Sequence, residues 1–522
     1  MNHTIWFARA GTALVAVSLV VPAFCSQADA RSSAGTSTAV EESATIPTGG
    51  TLTLGGNSVI RGFDPATFPP ANNPIIDWVG ASVYDTLVRV EADGTIVPRL
   101  AESVESEDFV TWTVTLRSGV TFSDDSPLNA EAVKVNWDRH NDPATASRCA
   151  GQTGAMESIT VVDDLTLEVI LNAPNTTFPR ALVGCLGLIA SAQAIADGVD
   201  LVSTPVGAGP FVLTEWVPED QATLDRNPTY WDAPRPYIDT LVFKPILDQQ
   251  QRADALTTGQ IDYGLFPFGG PYIEDLANSG FDVQSIGLSG GTGVIFNLGK
   301  APLDDARVRQ AFAMAIDVNA INEIATAGFG QVADSWFPED SPFHDPDVVQ
   351  RTTDLAAAQA LIDDYVAENG PVVTTFQAPE GFKIQAEAVH QQISQLDGVE
   401  LTLELIPNAT RTQIVADRAF DMTIESSAAV DPGEMYNFFY SGSAADVTGY
   451  SAVDDLLVQS RATPGVDDLT SIFSEVTAAV FEDVPFFIIN RSVYQTVFSE
   501  RVGGAVLYDA GLTDTAAIFV NE

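Results

Sequence analysis

Positive charge is scarce in this chain. Only four lysines occur, Lys134, Lys244, Lys300 and Lys383, and 24 basic residues face 70 acidic ones, a formal net charge of −46. A surface of that sign repels nucleic acid and anionic lipid, so neither is expected as a partner. The acid is spread along the sequence rather than gathered in a tail, which reads as a solvated surface suited to a salty or acidic setting. Histidine is equally rare: His3, His140, His344 and His390 lie far apart. No H-E-x-x-H, calcium-loop or phosphate-loop pattern occurs, so no metal, cofactor or enzymatic activity is expected. Long apolar runs are missing beyond the N-terminus. The nearest, Leu182–Val199, is broken by three glycines, Gln193 and Asp197, too interrupted for a membrane span.

The N-terminus does carry a targeting segment, residues 1–30. Arg9 precedes the apolar stretch Ala10–Phe24, and Ala28-Asp29-Ala30 has the small-x-small pattern of a signal-peptidase site. Cys25 offers a second outcome, lipid anchoring, against which Pro22 and bulky Phe24 argue. Residues 31–48 are small and polar, the composition of a flexible linker. The expected location is the periplasm or the outer face of the cytoplasmic membrane. In that setting the remaining cysteines, Cys149 and Cys185, favour one disulfide, with two buried free thiols as the alternative.

With 45% hydrophobic residues the chain has material for substantial cores. Strand-like and helix-like segments alternate, an α/β pattern of mixed sheets covered by helices. Val110–Leu116 and Val399–Leu405 alternate with period two, as half-buried strands do. Asn129 is placed to cap a helix over 130–139, and Asp304 one carrying Val308, Ala311, Phe312 and Ala315 on one face. Residues 486–490 and 493–498 read as consecutive strands. Gly287-Leu-Ser289-Gly-Gly291 matches the G-x-S-x-G nucleophile elbow. That chemistry needs a helix after the serine, whereas Thr292–Asn297 is strand-like, so a bend between strands is expected.

Several segments, in order, resemble the solute-binding proteins of peptide/nickel-type ABC importers, family 5. They are Pro98-Arg-Leu100-Ala-Glu-Ser103, Trp112–Phe122, Gly207–Phe211, Arg226–Trp231, Arg252–Asp262, Phe296-Asn297 with Asp304–Asp317, and Asp483-Val-Pro485. Asp125 and Ala208 depart from that pattern, at a common glycine and a common threonine. Trp112, Leu116 and Phe122 are read as core, and Tyr230-Trp231 as packing beside a turn shaped by Arg226-Asn-Pro.

The resemblance implies a two-lobed periplasmic-binding-protein fold with an extra third domain. Domain I would comprise 49–80, 204–285 and 491–522, domain II 81–203 and domain III 286–490. The crossovers between lobes would lie near 285–295 and 485–497, where Gly287, Gly290, Gly291 and Gly293 can absorb the motion of closure. The implied role is capture of a small solute and its delivery to an ABC permease by a monomer; a secreted hydrolase or an unrelated receptor is the alternative. Trp336, Asp431, Tyr436 and Phe439 are the implied ligand-binding residues, since 330–340 and 428–440 face the cleft in relatives. Peptide-binding relatives hold the peptide ammonium with an aspartate whose counterpart here is Ala428. Binding of free peptides through their α-amino group is therefore not expected, unless Glu425 or Asp431 substitutes.

Overall fold

The computed structural model describes residues 46–521, apart from 69–73, 92–94, 148, 268, 430–431, 444–445 and 509–511. The targeting segment, Cys25 and Asp431 therefore lie outside the described residues. In chain order, the strands of the three larger sheets begin with β1 (Thr51–Gly56), β2 (Ala101–Ser106), β3 (Thr111–Leu116), β4 (Met156–Val161) and β5 (Thr166–Leu171). Next come β6 (Phe211–Val217), β7 (Gln221–Arg226), β8 (Thr240–Pro245), β9 (Tyr263–Pro267) and β10 (Asp282–Gly287). The last are β11 (Ser289–Phe296), β12 (Val372–Pro379), β13 (Val399–Ile406), β14 (Met422–Ala429), β15 (Phe486–Asn490) and β16 (Val493–Phe498).

A seven-stranded sheet has the order β10-β16-β9-β1-β8-β7-β6, a five-stranded sheet β13-β12-β14-β11-β15, and a four-stranded sheet β2-β3-β5-β4. The four-stranded sheet is antiparallel throughout. Its alternation is that of a one-sided sheet: Trp112, Val114 and Leu116 of β3 are buried, while the residues between them are half-buried or exposed. β11 is different. All eight of its residues are buried, because Val294 and Phe296 enter one core while Ile295 enters another on the opposite face. A strand covered on both sides loses the period-two signal.

The helices start where side-chain oxygens meet orphan N–H groups, each such cap stabilising by about 1 kcal/mol. Asn129 accepts from Ala132 N–H, and Ala130–Asn141 follows. The helix over Ala306–Ala315 is capped by Asp305, not by Asp304 as its sequence suggested. Asp304 N–H is tied to the Lys300 carbonyl at 3.0 Å in the preceding turn, which leaves Asp305 in the extended conformation a cap requires. Asp125, at the common family glycine, has φ +64°, so the turn keeps its left-handed geometry despite the substitution. Cys149 and Cys185 are joined by a disulfide within the core beneath the four-stranded sheet. Beside it His140 is buried, its Nδ1 2.7 Å from Ser147 Oγ. Burial, reinforced by the Arg139 cation, pushes the His140 imidazole down to about 4.

Candidate functional site

Two short segments carry the chain between the two largest sheets: Leu288, between β10 and β11, and Arg491-Ser492, between β15 and β16. They touch, Leu288 N–H donating to the Ser492 carbonyl at 3.0 Å. In the seven-stranded sheet β1 runs parallel to β8 and β9, and β16 lies antiparallel to both β9 and β10. The carboxyl ends of β1, β8, β9 and β10 therefore share the edge from which the chain leaves. In the five-stranded sheet β12 is parallel to β13 and β14, and β14 is antiparallel to β11. The carboxyl ends of β12, β13 and β14 consequently lie on the edge where β11 begins. Open α/β sheets bind ligands beyond the carboxyl ends of their strands. Here two such edges meet at one crossing.

The crossing is shaped by glycine and by one arginine. Gly290 has φ +74°, and a Cβ there would stand 2.2 Å from the Ser427 carbonyl oxygen; at Gly291, with φ +155°, it would stand 2.3 Å from the Asn490 oxygen. The strand therefore follows directly on Ser289, without the helix a nucleophile elbow needs. Arg491 is buried and donates from Nη1 to the carbonyls of Leu288 (3.1 Å) and Trp336 (3.0 Å), and from Nη2 to that of Ser335 (2.8 Å). Burial lowers its pKa, offset in part by Asp334 and other nearby acids. Five-donor geometry suits a guanidinium to gathering carbonyls from separate segments.

Arg491 thereby sets the position of Trp336, which is 1% exposed. The indole lies 5.2 Å from the Phe439 ring and 5.8 Å from Phe486, within a continuous aromatic core. Phe439 is likewise fully buried. In this conformation both rings line the core behind the crossing and offer almost no open surface. Tyr436 is half-buried, stacked on Tyr440 at 4.6 Å, with the Arg461 guanidinium 4.5 Å from its ring centroid. Arg461 also reaches the four-stranded module. It donates to Thr177 Oγ1 at 3.2 Å, while its carbonyl accepts Thr176 N–H at 2.8 Å. The module and the five-stranded-sheet lobe thus touch directly, away from the crossing.

Sequence reasoning named Glu425 as a possible ammonium partner but missed its pairing with Arg411 at the rim. Register places Phe376 beside Met422 and Pro379 beside Ile406, so β12, β13 and residue Glu425 of β14 end at one level. The turn Glu380–Phe382 springs from β12 and the helix Asn408–Ala416 from β13. They bring Phe382 and Arg411 over Glu425. Arg411 Nε donates to Glu425 Oε2 at 3.1 Å, Nη2 is paired with Oε1, and the guanidinium lies 5.8 Å from the Phe382 ring centroid. Burial lowers the Arg411 pKa. For Arg411 the one signal in the sequence was an arginine in a chain with few cations.

Tyr230 and Trp231 also prove to do more than pack beside a turn. Asp85 accepts from the Tyr230 hydroxyl at 2.8 Å, Trp231 Nε1 at 2.9 Å and Arg99 Nε at 3.1 Å. Arg117 lies 4.3 Å from the Trp231 ring, and Asp514 accepts from Arg89 at 2.8 Å. This cluster ties the four-stranded module to the seven-stranded-sheet lobe.

Such a fold, two mixed sheets joined by a pair of touching crossovers, is that of the two-lobed binding proteins. The family model "Bacterial extracellular solute-binding proteins, family 5 Middle" matches residues 95–448. The chain belongs to this family, as the resemblance in its motifs implied. Solved structures share the fold. AgaA, described as in complex with agropinic acid from A. tumefaciens R10, has a TM-score of 0.76 at 22% identity, covering 91% of this chain and 99% of that one. DppA from Helicobacter pylori, in complex with peptide STSA, has a TM-score of 0.76 at 23% identity, covering 91% and 99%. Among curated relatives, the glutathione-binding protein GsiB of Pectobacterium atrosepticum is 30% identical over 271 residues, 51% of this chain and 52% of that protein. The chain thus spans about half the length of the curated relatives it matches. Among the described residues no helix is long and apolar enough to cross a membrane, and no group of three or more potential ligating side chains is placed to hold a metal ion.

Proposed function

We propose that this chain is the extracytoplasmic solute-binding component of an ABC importer, which encloses a small solute between two lobes and delivers it to a membrane permease. The observation that carries this reading is the meeting of two carboxyl-end sheet edges at one pair of crossing segments. Residues 49–80, 204–285 and 491–522 act as one lobe, with 81–203 as its added module, and 286–490 as the other. The relatives' printed ligands, glutathione, a peptide and agropinic acid, support a solute of amino-acid or related origin. Closure shifts an open population to a closed one by the differential affinity of the solute. Trp336 and Phe439 support the binding surface from behind, while Tyr436 stands near its mouth; Asp431 remains a ligand-binding candidate on the family resemblance alone. The chain works as a monomer outside the cytoplasmic membrane, either released after Ala30 or anchored through Cys25; the intact mass of the mature protein separates these two states.

The test is ligand-dependent melting. Purified protein is titrated with glutathione, short peptides and opine-like acids, and native mass spectrometry identifies any solute retained through purification. A saturable rise in Tm without consumption of the compound is expected. Turnover of a bound compound, or no saturable binding of any retained or added solute, overturns the reading.

A further inference from the structure

The crossing is fastened to one lobe and not to the other. The seven-stranded sheet ends at the pair Gly287 and Val493, and the five-stranded sheet begins at the pairs Ser289 with Ala429 and Thr292 with Asn490. Leu288, Arg491 and Ser492 stand between them. Of these, Arg491 belongs physically to the five-stranded-sheet lobe. Its N–H donates to the Gln331 carbonyl at 2.8 Å. Its Nη1 reaches the Leu288 and Trp336 carbonyls. Its Nη2 reaches the Ser335 carbonyl and hydroxyl, at 2.8 and 3.2 Å, and the Phe337 carbonyl at 3.4 Å. Among the described residues every hydrogen bond of this side chain therefore ends on segment 335–337 or on the other crossover. Gly290 N–H donates to the same Trp336 carbonyl at 2.7 Å. The segment is itself braced, because Gln350 Nε2 donates to the carbonyls of Ala333 (2.8 Å) and Ile488 (2.9 Å). One buried guanidinium thus ties both crossovers to a held segment of one lobe.

The other side of the crossing lacks such ties. There the bond from Leu288 N–H to the Ser492 carbonyl links crossover to crossover. Gly287 is also free of the constraints that fix its neighbours. Its φ lies outside the left-handed region, and a Cβ there would meet Pro338 Cβ at 3.5 Å and Arg491 Cδ at 3.8 Å, ordinary contact. Nothing in this conformation requires glycine at 287, whereas dihedrals that change as the lobes turn would use it. Gly290, Gly291 and Gly293 are the opposite. Backbone oxygens stand 2.2, 2.3 and 2.2 Å from their Cβ positions, so these glycines build the strand. Of the four glycines expected to absorb closure, Gly287 alone lies on the untied side.

We propose that Arg491 is a positioning residue for solute capture: it clamps both crossovers to the five-stranded-sheet lobe, and the lobes turn about Gly287-Leu288 and Ser492 on its far side. Its purpose rests on the solute-binding reading, while the placement of the joint does not. Because Arg491 holds the Trp336 carbonyl, Trp336 keeps one position as the lobes move. The solute then meets a preformed half-site, and closure brings the other half to it.

The test reads single-residue amide exchange in the mature full-length protein without solute, so its outcome is independent of whether a solute is found. After correction for intrinsic chemical rates, the Leu288 amide should exchange about tenfold faster than those of Gly290 and Arg491. Equal protection of the three overturns the proposal. Gly287→Ala fits the present conformation and restricts the joint. With spin labels at Leu247→Cys on one lobe and Ile324→Cys on the other, both exposed, the distribution of inter-lobe distances should narrow by about half relative to the labelled parent. An unchanged width in the folded variant overturns the joint at Gly287. Arg491→Lys keeps the charge but cannot gather carbonyls from separate segments, so exchange at Gly290 should rise about tenfold. A folded Arg491→Lys with Gly290 exchange within about threefold of the parent overturns the clamp. Should that variant not fold, the parent's exchange pattern and Gly287→Ala decide alone. Where the exchange pattern holds and no solute binds, the solute-binding reading falls and the joint stands.

Discussion

The junction around Asp85 and the crossing around Leu288 each join segments distant in sequence, yet they are built from opposite materials. At Asp85 one carboxylate gathers a phenol, an indole and a guanidinium, and Asp514 with Arg89 extends the network. Each of these bonds depends on one geometry. At the crossing a single backbone bond links Leu288 to Ser492, glycines occupy conformations closed to other residues, and Arg491 meets carbonyls rather than carboxylates. Charge networks of low exposure resist relative motion, because moving one member strands the others. Glycine beside contacts to uncharged carbonyls permits it. On the proposed role in solute capture, the first construction suits a module held fixed on its lobe, the second a pair of lobes that close on a solute.

The contrast breaks most visibly if Asp85 is removed. Asp85→Ala leaves Arg99 buried without its main partner, and denaturant unfolding should show a loss of about 3–5 kcal/mol. Solute affinity, measured where the variant is still folded, should be unchanged. A large affinity loss with normal stability would mean that the junction moves during binding.

The disulfide reinforces the same fixed side. Replacing Cys149 and Cys185 by serine should destabilise by roughly 3–4 kcal/mol on the chain-entropy account of a loop that long. Two reactive thiols in the denatured, unreduced parent protein would remove the basis for this expectation.

His140 adds a pH signature to the module. Its folded pKa, about 4, lies below the unfolded value of 6.5. The unfolded chain therefore binds the proton more readily, and stability rises with pH. The contribution is complete above about pH 6.5 and is lost as pH falls toward 4, at up to about 1.4 kcal/mol per pH unit. Unfolding free energies at pH 7 and pH 5 should differ less in His140→Gln than in the parent. An identical difference in both would assign the slope to other groups.

The smallest effect is expected at the contact between the module and the opposite lobe. Arg461→Ala removes the bond to Thr177 and the cation–ring contact with Tyr436. It should weaken solute binding by about three- to tenfold through faster release, with stability changed by less than about 1 kcal/mol. Stopped-flow dissociation reads it directly. An unchanged release rate would show that this contact persists equally in the open and closed states.

Local chemistry was legible in the sequence where one feature decides the outcome alone. The strands Phe486–Asn490 and Val493–Phe498 follow from β-rich composition, and the helix after Asn129 follows from its cap. The family order of motifs carried the fold, since turns and core residues recur at fixed offsets along one topology. Where two adjacent residues compete for one role, as Asp304 and Asp305 do, the deciding term was the turn before them. The partners of Tyr230, Trp231 and Arg491 lie on segments more than a hundred residues away. No local pattern encodes them. The candidate site is the extreme case. Glu425 and Arg411 become neighbours because parallel registers stop β12, β13 and the flanked part of β14 at one level, and two separate connections then fold over that level. A sequence specifies its strands one by one through side-chain periodicity. Which strand ends coincide, and so which charges meet, is set by long-range pairing that only the folded chain contains.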